Sequence, residues 1–226
     1  GRRIREAFIP EEGWLLLGAD YSQIELRILA HLSGDETLIE AFQRGEDIHN
    51  RTACEVFGVS PSEVNPSMRR AAKVINFGII YGMSPYGLAK ELGVETKEAA
   101  RYIEGYFQRY RGVKAYIDKT LKEARERGFV STLLGRRRPL PEIRSSNRSA
   151  RQFAERTAIN TPVQGTAADL IKVAMINIYR RIKREALEAR LIIQVHDELI
   201  FEVKEGALER VKEMVREEME GVMELK

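Results

Sequence analysis

The chain has 226 residues, 43% apolar and 31% charged, and a net charge of only +3. That length admits one large domain or two small ones with a sizeable core, and the near-neutral total does not by itself mark a nucleic-acid binder. A single cysteine, Cys54, excludes an internal disulfide and fits a reducing, cytoplasmic compartment; no signal peptide shows, and no apolar run reaches the roughly 18–20 residues a membrane span needs.

The first apolar run, "WLLLGA" (14–19), stops at Asp20 and predicts a buried strand. "IELRILAHL" (24–32) has helical spacing. "SGDE" (33–36) has the capping-box pattern, and "TLIEAFQRG" closes on Gly45 as a helix does. "DIHNRTACEVFG" predicts a short helix ending at Gly58, and "SPSE" (60–63) another helix start. Asn65-Pro66 pairs a capping residue with Pro at the first helical position and opens a helix that ends near Gly82. Further helices are predicted at about 85–92, 98–108 and onward to Arg127. "GFVSTLLGRRRPLP" reads as two short strands turning at Gly135. A helix over 147–160 is expected to break at Pro162 and resume from Thr166 to about Ala189. "RLIIQVHDELIFEV" (190–203) is a hairpin of two buried-looking strands with His196-Asp197 at its tip. An amphipathic helix from Ala207 to Gly221 ends the chain. The order is α+β: a small sheet made from both ends of the chain, with helices between.

Three constellations carry chemistry. Asp20 ends a strand and Asp197 sits at a hairpin tip. Taken singly, each reads as a cap or turn residue; in one sheet, the two carboxylates repel, and a divalent cation such as Mg²⁺ removes the conflict. The second is a stripe, Arg69, Lys73, Phe77 and Tyr81, recurring every four residues and so sharing one helix face. It presents two cations and then two aromatic rings, which by themselves read first as a solvated basic turn and a core aromatic pair, and otherwise as the order a nucleoside triphosphate needs. Lys73 stands in an otherwise apolar helix, where a cation is costly without a partner. The third is charge distribution. Residues 136–156 hold seven arginines against two acids, whereas 202–226 hold eight glutamates against five Lys and Arg. The basic segment reads equally as an exposed charged helix or as a surface for a phosphate backbone, and Asn160 and Gln164 in the "INTPVQG" that follows suit nucleotide edges or sugars.

In that order, "DYSQIELR", "RRAAKVINFGIIYG" and "QVHDE" resemble motifs A, B and C of the bacterial DNA polymerase I family, family A. "HLSGDE", "GED" with "IH", "GRRR" with "LP", and "PVQGTAADL" fit as well, so the resemblance covers essentially the whole chain. It implies a right-hand architecture: palm from 1–37 and 147–226, and mostly helical fingers from 38–146. The family's thumb and last palm strand are expected to lie outside this chain, which starts at Gly1 and reads as a fragment.

The resemblance also implies roles. Asp20, Asp197 and the backbone carbonyl of Tyr21 hold two Mg²⁺ ions, replaceable by Mn²⁺, with Glu198 near but not an obligatory ligand. Asp20, Asp197 and Lys73 are the catalytic set. Arg69 and Lys73, assisted by His49, hold the β- and γ-phosphates of a dNTP. Phe77 stacks beside sugar and base, Tyr81 packs on the template side, and Glu25 with both rings closes the pocket around C2′. Asn160, Gln164, His196, Arg136 and Arg137 contact primer-template DNA, with Arg27 assisting. The expected protein is a cytoplasmic, nucleoid-associated monomer with no membrane. A single-subunit RNA polymerase of the phage or mitochondrial type is disfavoured by Glu25, which excludes a ribose hydroxyl. Intact Asp20, Lys73 and Asp197 argue against a degenerate, non-catalytic relative, and a two-metal nuclease has no need of the 69–81 stripe.

Overall fold

The computed structural model describes residues 6–226, so the first five residues of the expected palm segment lie outside the described residues. In chain order the elements begin with strand β1 (Trp14–Asp20) and helices α1 (Ile24–Ser33), α2 (Glu36–Gln43), α3 (Ile48–Phe57) and α4 (Pro66–Ile80). Helices α5 (Pro85–Leu92), α6 (Thr96–Arg109) and α7 (Arg111–Arg127) follow, then strands β2 (Phe129–Ser131) and β3 (Arg137–Pro139). Helix α8 (Arg148–Arg184), strands β4 (Ala189–Val195) and β5 (Glu198–Lys204), and helix α9 (Leu208–Glu220) complete the chain. Two compact units result: Gly1–Ile24 with Ala167–Glu224, and Glu25–Thr166 with Leu225–Lys226. Among the described residues, no helix is long and apolar enough to cross a membrane.

The first unit is built on an antiparallel sheet of order β1-β5-β4. Leu17 and Ala19 of β1 and Leu199, Phe201 and Val203 of β5 point to one face. There they pack on Ile171, Ala174, Ile178 and Ile182 of α8 and on Val211, Met214, Val215 and Met219 of α9. The apolar runs predict strands buried on both faces, and here the structure differs. Leu16 is 39%, Ile192 45% and Val195 36% exposed. The two helices cover one face only, and the pleat sends every second residue to the other. That open face carries Gly18 and Asp20. Ile192 lies at a register shift between Leu191 and Ile193, an extra residue left out of the ladder.

The second unit holds most of the helices and the two-stranded sheet β2-β3. Local chemistry sets most boundaries. Asn65 Oδ1 accepts the Met68 N–H at 2.9 Å, with Pro66 beginning α4. Gly58 ends α3 in the left-handed conformation, φ 66°. Two start signals land differently. The cap of α2 is Asp35, whose Oδ1 accepts the Leu38 N–H at 3.1 Å, not the Ser33 of the predicted box. "SPSE" opens only a 3₁₀ turn, Pro61–Glu63, because Asn65 precedes a proline and is pushed out of the helical region.

Pro162 does not break its helix. α8 runs unbroken through it, and the division between the two units falls inside this helix, after Thr166. The ring forfeits one bond to the Ala158 carbonyl, a cost of ~3 kcal/mol in a helix interior. Ala154, Ala158, Val163, Leu170, Ile171 and Ala174 are all buried along the same helix, so its apolar face continues on both sides of the proline and offsets that loss.

Candidate active site

In the first unit, antiparallel pairing sets Asp20, the last residue of β1, directly opposite Glu198, the first of β5. Asp197 occupies the two-residue tip between β4 and β5. The tip is held in three ways. His196 takes a left-handed φ of 55°, the Gln194 amide donates to the His196 carbonyl at 2.9 Å, and the Tyr21 N–H donates to the Asp197 carbonyl at 3.2 Å. The Tyr21 hydroxyl donates to the Met219 carbonyl at 2.6 Å, which anchors the ring in the helix-covered core; burial pushes its pKa up to about 12. The backbone that follows Asp20 is therefore fixed at both a main-chain and a side-chain point.

Partial burial, and then the charges of Asp197 and Glu198, hold the Asp20 carboxyl above its ordinary pKa. The three acids therefore sense one another at one end of an open sheet face. A Cβ added at Gly18 would meet Glu198 Oε1 at 3.1 Å, so the absence of a side chain there gives the glutamate its room. Among the described residues, no group of three or more His, Cys, Asp or Glu side chains is arranged as a metal cage. What is present is an open set of hard oxygens with mutually repelling charge. It fits Mg²⁺, which keeps several water or substrate oxygens and takes only one or two carboxylates from protein.

In the second unit, α4 presents its stripe as expected from the spacing. Arg69, Lys73 and Tyr81 are exposed and Phe77 is half-buried, while Ala72, Ile75, Asn76, Ile79 and Ile80 face inward. The exposure of Lys73 removes the burial cost that the apolar surroundings predict: its neighbours in sequence lie on the other side of the helix. The Phe77 and Tyr81 rings stack at 6.1 Å, and the His49 ring lies 6.2 Å from Phe77. Arg69 donates through Nε and Nη2 to Asp47 Oδ2 at 3.0 and 2.9 Å. Asp47 also caps α3, accepting the His49 and Asn50 N–H groups. Burial pushes the Asp47 carboxyl up, but the Asn50 N–H, the Arg69 guanidinium and the His49 N–H outweigh it and hold the pKa low. At the first turn of α1, Glu25 Oε2 accepts from the Tyr81 hydroxyl at 3.2 Å. Arg27 lies over the Phe42 ring, 4.6 Å from its centroid.

The basic segment divides by function. Arg144 donates to the Arg125 and Glu126 carbonyls and Arg151 to the Ser145 carbonyl, so both fasten the chain to itself. Arg136 is exposed and donates to the Gly165 carbonyl at 3.0 Å, and Arg137 lies over the Phe129 ring at 4.8 Å. Asn160 and Gln164 line a cleft of about 290 Å³ with Tyr81, Arg138, Arg156 and Thr157. This cleft brings the end of the α4 stripe together with the α8 amides. Arg138 and Arg156 belong to the basic segment read from the sequence, but Thr157 was not assigned; of the three only Arg156 shares the four-residue spacing of Asn160 and Gln164 on α8, whereas Arg138 comes from β3.

The family model described as DNA polymerase family A matches residues 1–226. The chain belongs to DNA polymerase family A. It is 56% identical over 225 residues to the thermostable DNA polymerase I of Thermus filiformis. It is 55% identical over 227 residues to DNA polymerase I of Geobacillus stearothermophilus, and 56% over 225 residues to that of Pseudomonas aeruginosa. All three matches cover 100% of this chain but 27%, 26% and 25% of the relative, so the chain spans about a quarter of the length of the curated relatives it matches. Among solved structures it is similar to the POL domain of Pol1 from M. smegmatis in complex with DNA primer-template and dNTP. The TM-score is 0.95 at 52% identity, over 99% of this chain and 40% of that one. This family A chain thus has the α+β palm-and-fingers architecture. Two polar residues inside the quoted motifs had been given no role: Asp47, which anchors Arg69, and Asn76, fully buried next to Phe77 in sequence. A buried amide on an otherwise apolar helix face was the signal for the second.

Proposed function

We propose that the chain is the catalytic-core portion of a template-directed DNA polymerase. It joins the 3′-oxygen of a primer to the α-phosphorus of a dNTP and releases pyrophosphate, in replication and repair. Palm corresponds to 1–37 and 147–226 and fingers to 38–146, and the protein works as a monomer on the DNA of the cytoplasmic nucleoid. The observation that carries the reading is the convergence of Asp20, Asp197 and Glu198 at one end of an open sheet face, with the Asp20 carboxyl raised by partial burial and then by the two neighbouring charges.

Asp20, Asp197 and the Tyr21 carbonyl are the groups suited to two Mg²⁺ or Mn²⁺ ions, which would acidify the primer hydroxyl and neutralise the triphosphate and the leaving pyrophosphate. The chain's own residues do the rest. Arg69 and Lys73 present exposed cations to the β- and γ-phosphates, and Asp47 aims the Arg69 fork. His49 adds a hydrogen bond to the same phosphates. Phe77 offers an apolar plane beside sugar and base, and Tyr81 stacks behind it toward the template. The Tyr81–Glu25 hydrogen bond holds the carboxylate against C2′, where a ribose hydroxyl clashes. Asn160 and Gln164, with Arg138 and Arg156 in the same cleft, contact primer or template; Arg136, Arg137, His196 and Arg27 add to that surface.

The test is extension of a primed template with dNTPs. Wild type extends in a template-directed manner, and Asp20→Ala and Asp197→Ala each abolish extension without loss of fold by circular dichroism. A folded variant extending at the wild-type rate overturns the assignment.

A further inference from the structure

Beneath the α4 stripe lies a buried polar relay that the polymerase motifs do not explain. Asn76 and Thr52 are both 0% exposed and His49 is 4% exposed. The Thr52 hydroxyl donates to Asn76 Oδ1 at 3.1 Å, and Asn76 Nδ2 lies 3.1 Å from His49 Nδ1. An amide N–H₂ facing Nδ1 requires that nitrogen to be an acceptor, so the ring's proton sits on Nε2. Among the described residues Nε2 has no hydrogen-bond partner, and it is not one of their enclosed unpartnered polar atoms, so it keeps a small contact with solvent. The opposite amide placement would demand a proton on Nδ1 and leave a lone pair on Nε2, which repels an anionic oxygen.

We propose that Asn76, itself fixed by Thr52, is a positioning residue that locks neutral His49 in the Nε2–H tautomer and so makes it a hydrogen-bond donor to the triphosphate. The inference rests on the reading of His49 as a phosphate ligand. Its advantage is physical: a donor that is already neutral keeps donating across the working pH range, where an imidazolium would be lost. The surroundings agree. Burial lowers the His49 pKa, Asp47 raises it, and Arg69 and Lys73 lower it again. The other charged groups about α3 are engaged with one another. Arg51 pairs with Glu46, and Arg109 of α6 with Glu55. Glu40 of α2 pairs with Arg44, and Glu63 bonds Ser60. Tyr106 and Tyr110, also buried at α6 and its end, have phenol pKa values raised first by burial.

Two measurements test this. The sequence has three histidines, so ¹⁵N-histidine labelling with a His49→Gln control assigns the ring nitrogens of His49 directly. The expected spectrum of the neutral ring shows Nε2 protonated and Nδ1 bare; a protonated Nδ1 in the neutral ring overturns the proposal. The second is the isosteric Asn76→Asp, whose carboxylate accepts from Nδ1–H. The neutral ring then presents a bare Nε2, so KM for dNTP, relative to wild type, rises about tenfold between pH 7 and pH 9 while kcat changes less. That rise disappears in His49→Gln/Asn76→Asp. A KM for Asn76→Asp that tracks wild type over this range, or a rise that survives in the double variant, refutes the relay. If His49→Gln alone leaves KM unchanged, the phosphate reading fails and takes the proposal with it, and the spectrum tells this failure from the first.

Discussion

Replacing Asp20 with Asn removes one charge from the acidic end of the sheet and changes almost nothing in volume. In the folded chain Asp20 faces Glu198 across the ladder, with Asp197 beside it, and its pKa is raised by burial and then by these two charges. The sign follows from linkage: a carboxyl whose folded pKa exceeds its unfolded value loses stability as pH rises through the folded pKa. At pH 7 the Asp20 carboxylate therefore opposes folding. Like charges directly opposite in a sheet cost roughly 0.2–1 kcal/mol, and solvent around this exposed residue screens them toward the lower half of that range. Taking about 0.5 kcal/mol and roughly 2–4 °C per kcal/mol for a chain of this size, Asp20→Asn raises Tm by about 1–2 °C in EDTA at pH 7. The gain vanishes near pH 3, where both side chains are neutral. A cation reverses the comparison. Mg²⁺ at ten times its dissociation constant stabilises wild type by about 1.4 kcal/mol, or roughly 3–6 °C, and the variant by far less. The assay is thermal unfolding by circular dichroism with and without Mg²⁺. A variant less stable than wild type in EDTA, or one with an undiminished Mg²⁺ response, would falsify the reasoning.

Three other changes follow from the geometry. Glu25→Ala removes the carboxylate held by Tyr81 and lowers discrimination against ribonucleotides by roughly tenfold in competitive extension; unchanged rNTP/dNTP selectivity speaks against the C2′ role. Ala186 ends α8 at φ 48° with the Leu187 N–H bonded to the Ile182 carbonyl, the helix end that glycine suits. The left-handed strain of roughly 1–2 kcal/mol outweighs the unfolded-state penalty of about 0.4–1, so Ala186→Gly should raise Tm by about 1–2 °C and leave extension untouched; a lower Tm counts against it. Gly112 donates its N–H to Asp35 Oδ2 at 2.8 Å, and a Cβ there would lie 2.8 Å from the Asp35 Cα. Gly112→Ala therefore destabilises by about 2 kcal/mol or more, read as a fall in the denaturation midpoint at constant slope; a midpoint within error of wild type contradicts the clash.

Where the physics is local, the sequence was legible. Asn65-Pro66 announced α4, Gly58 and Gly93 closed their helices with left-handed φ, and the four-residue spacing from Arg69 to Tyr81 put those side chains on one face. The hairpin with His196-Asp197 at its tip was equally plain, because alternation and turn chemistry are written within a dozen residues. The resemblance placed Glu25 with Phe77 and Tyr81, and the fold supplies the hydrogen bond to Tyr81, 56 residues away.

Everything decided by contacts distant in sequence needed the tertiary structure. Pro162 reads as a break until the apolar face of α8 is seen to continue past it. The apolar runs of β1 and β4 read as buried until helices are found on one face only, leaving Asp20 on the open one. Lys73 reads as a costly interior cation until helix geometry turns it outward. Local sequence sets which residue types are available and where most helices and strands begin. The fold decided which of them meet: Asp20 with Glu198 across 178 positions, Arg69 with Asp47 across 22, and Asn76 with His49 across 27. Repulsion, ion pairing and a tautomer are properties of pairs, and no single position in the chain specifies its partner.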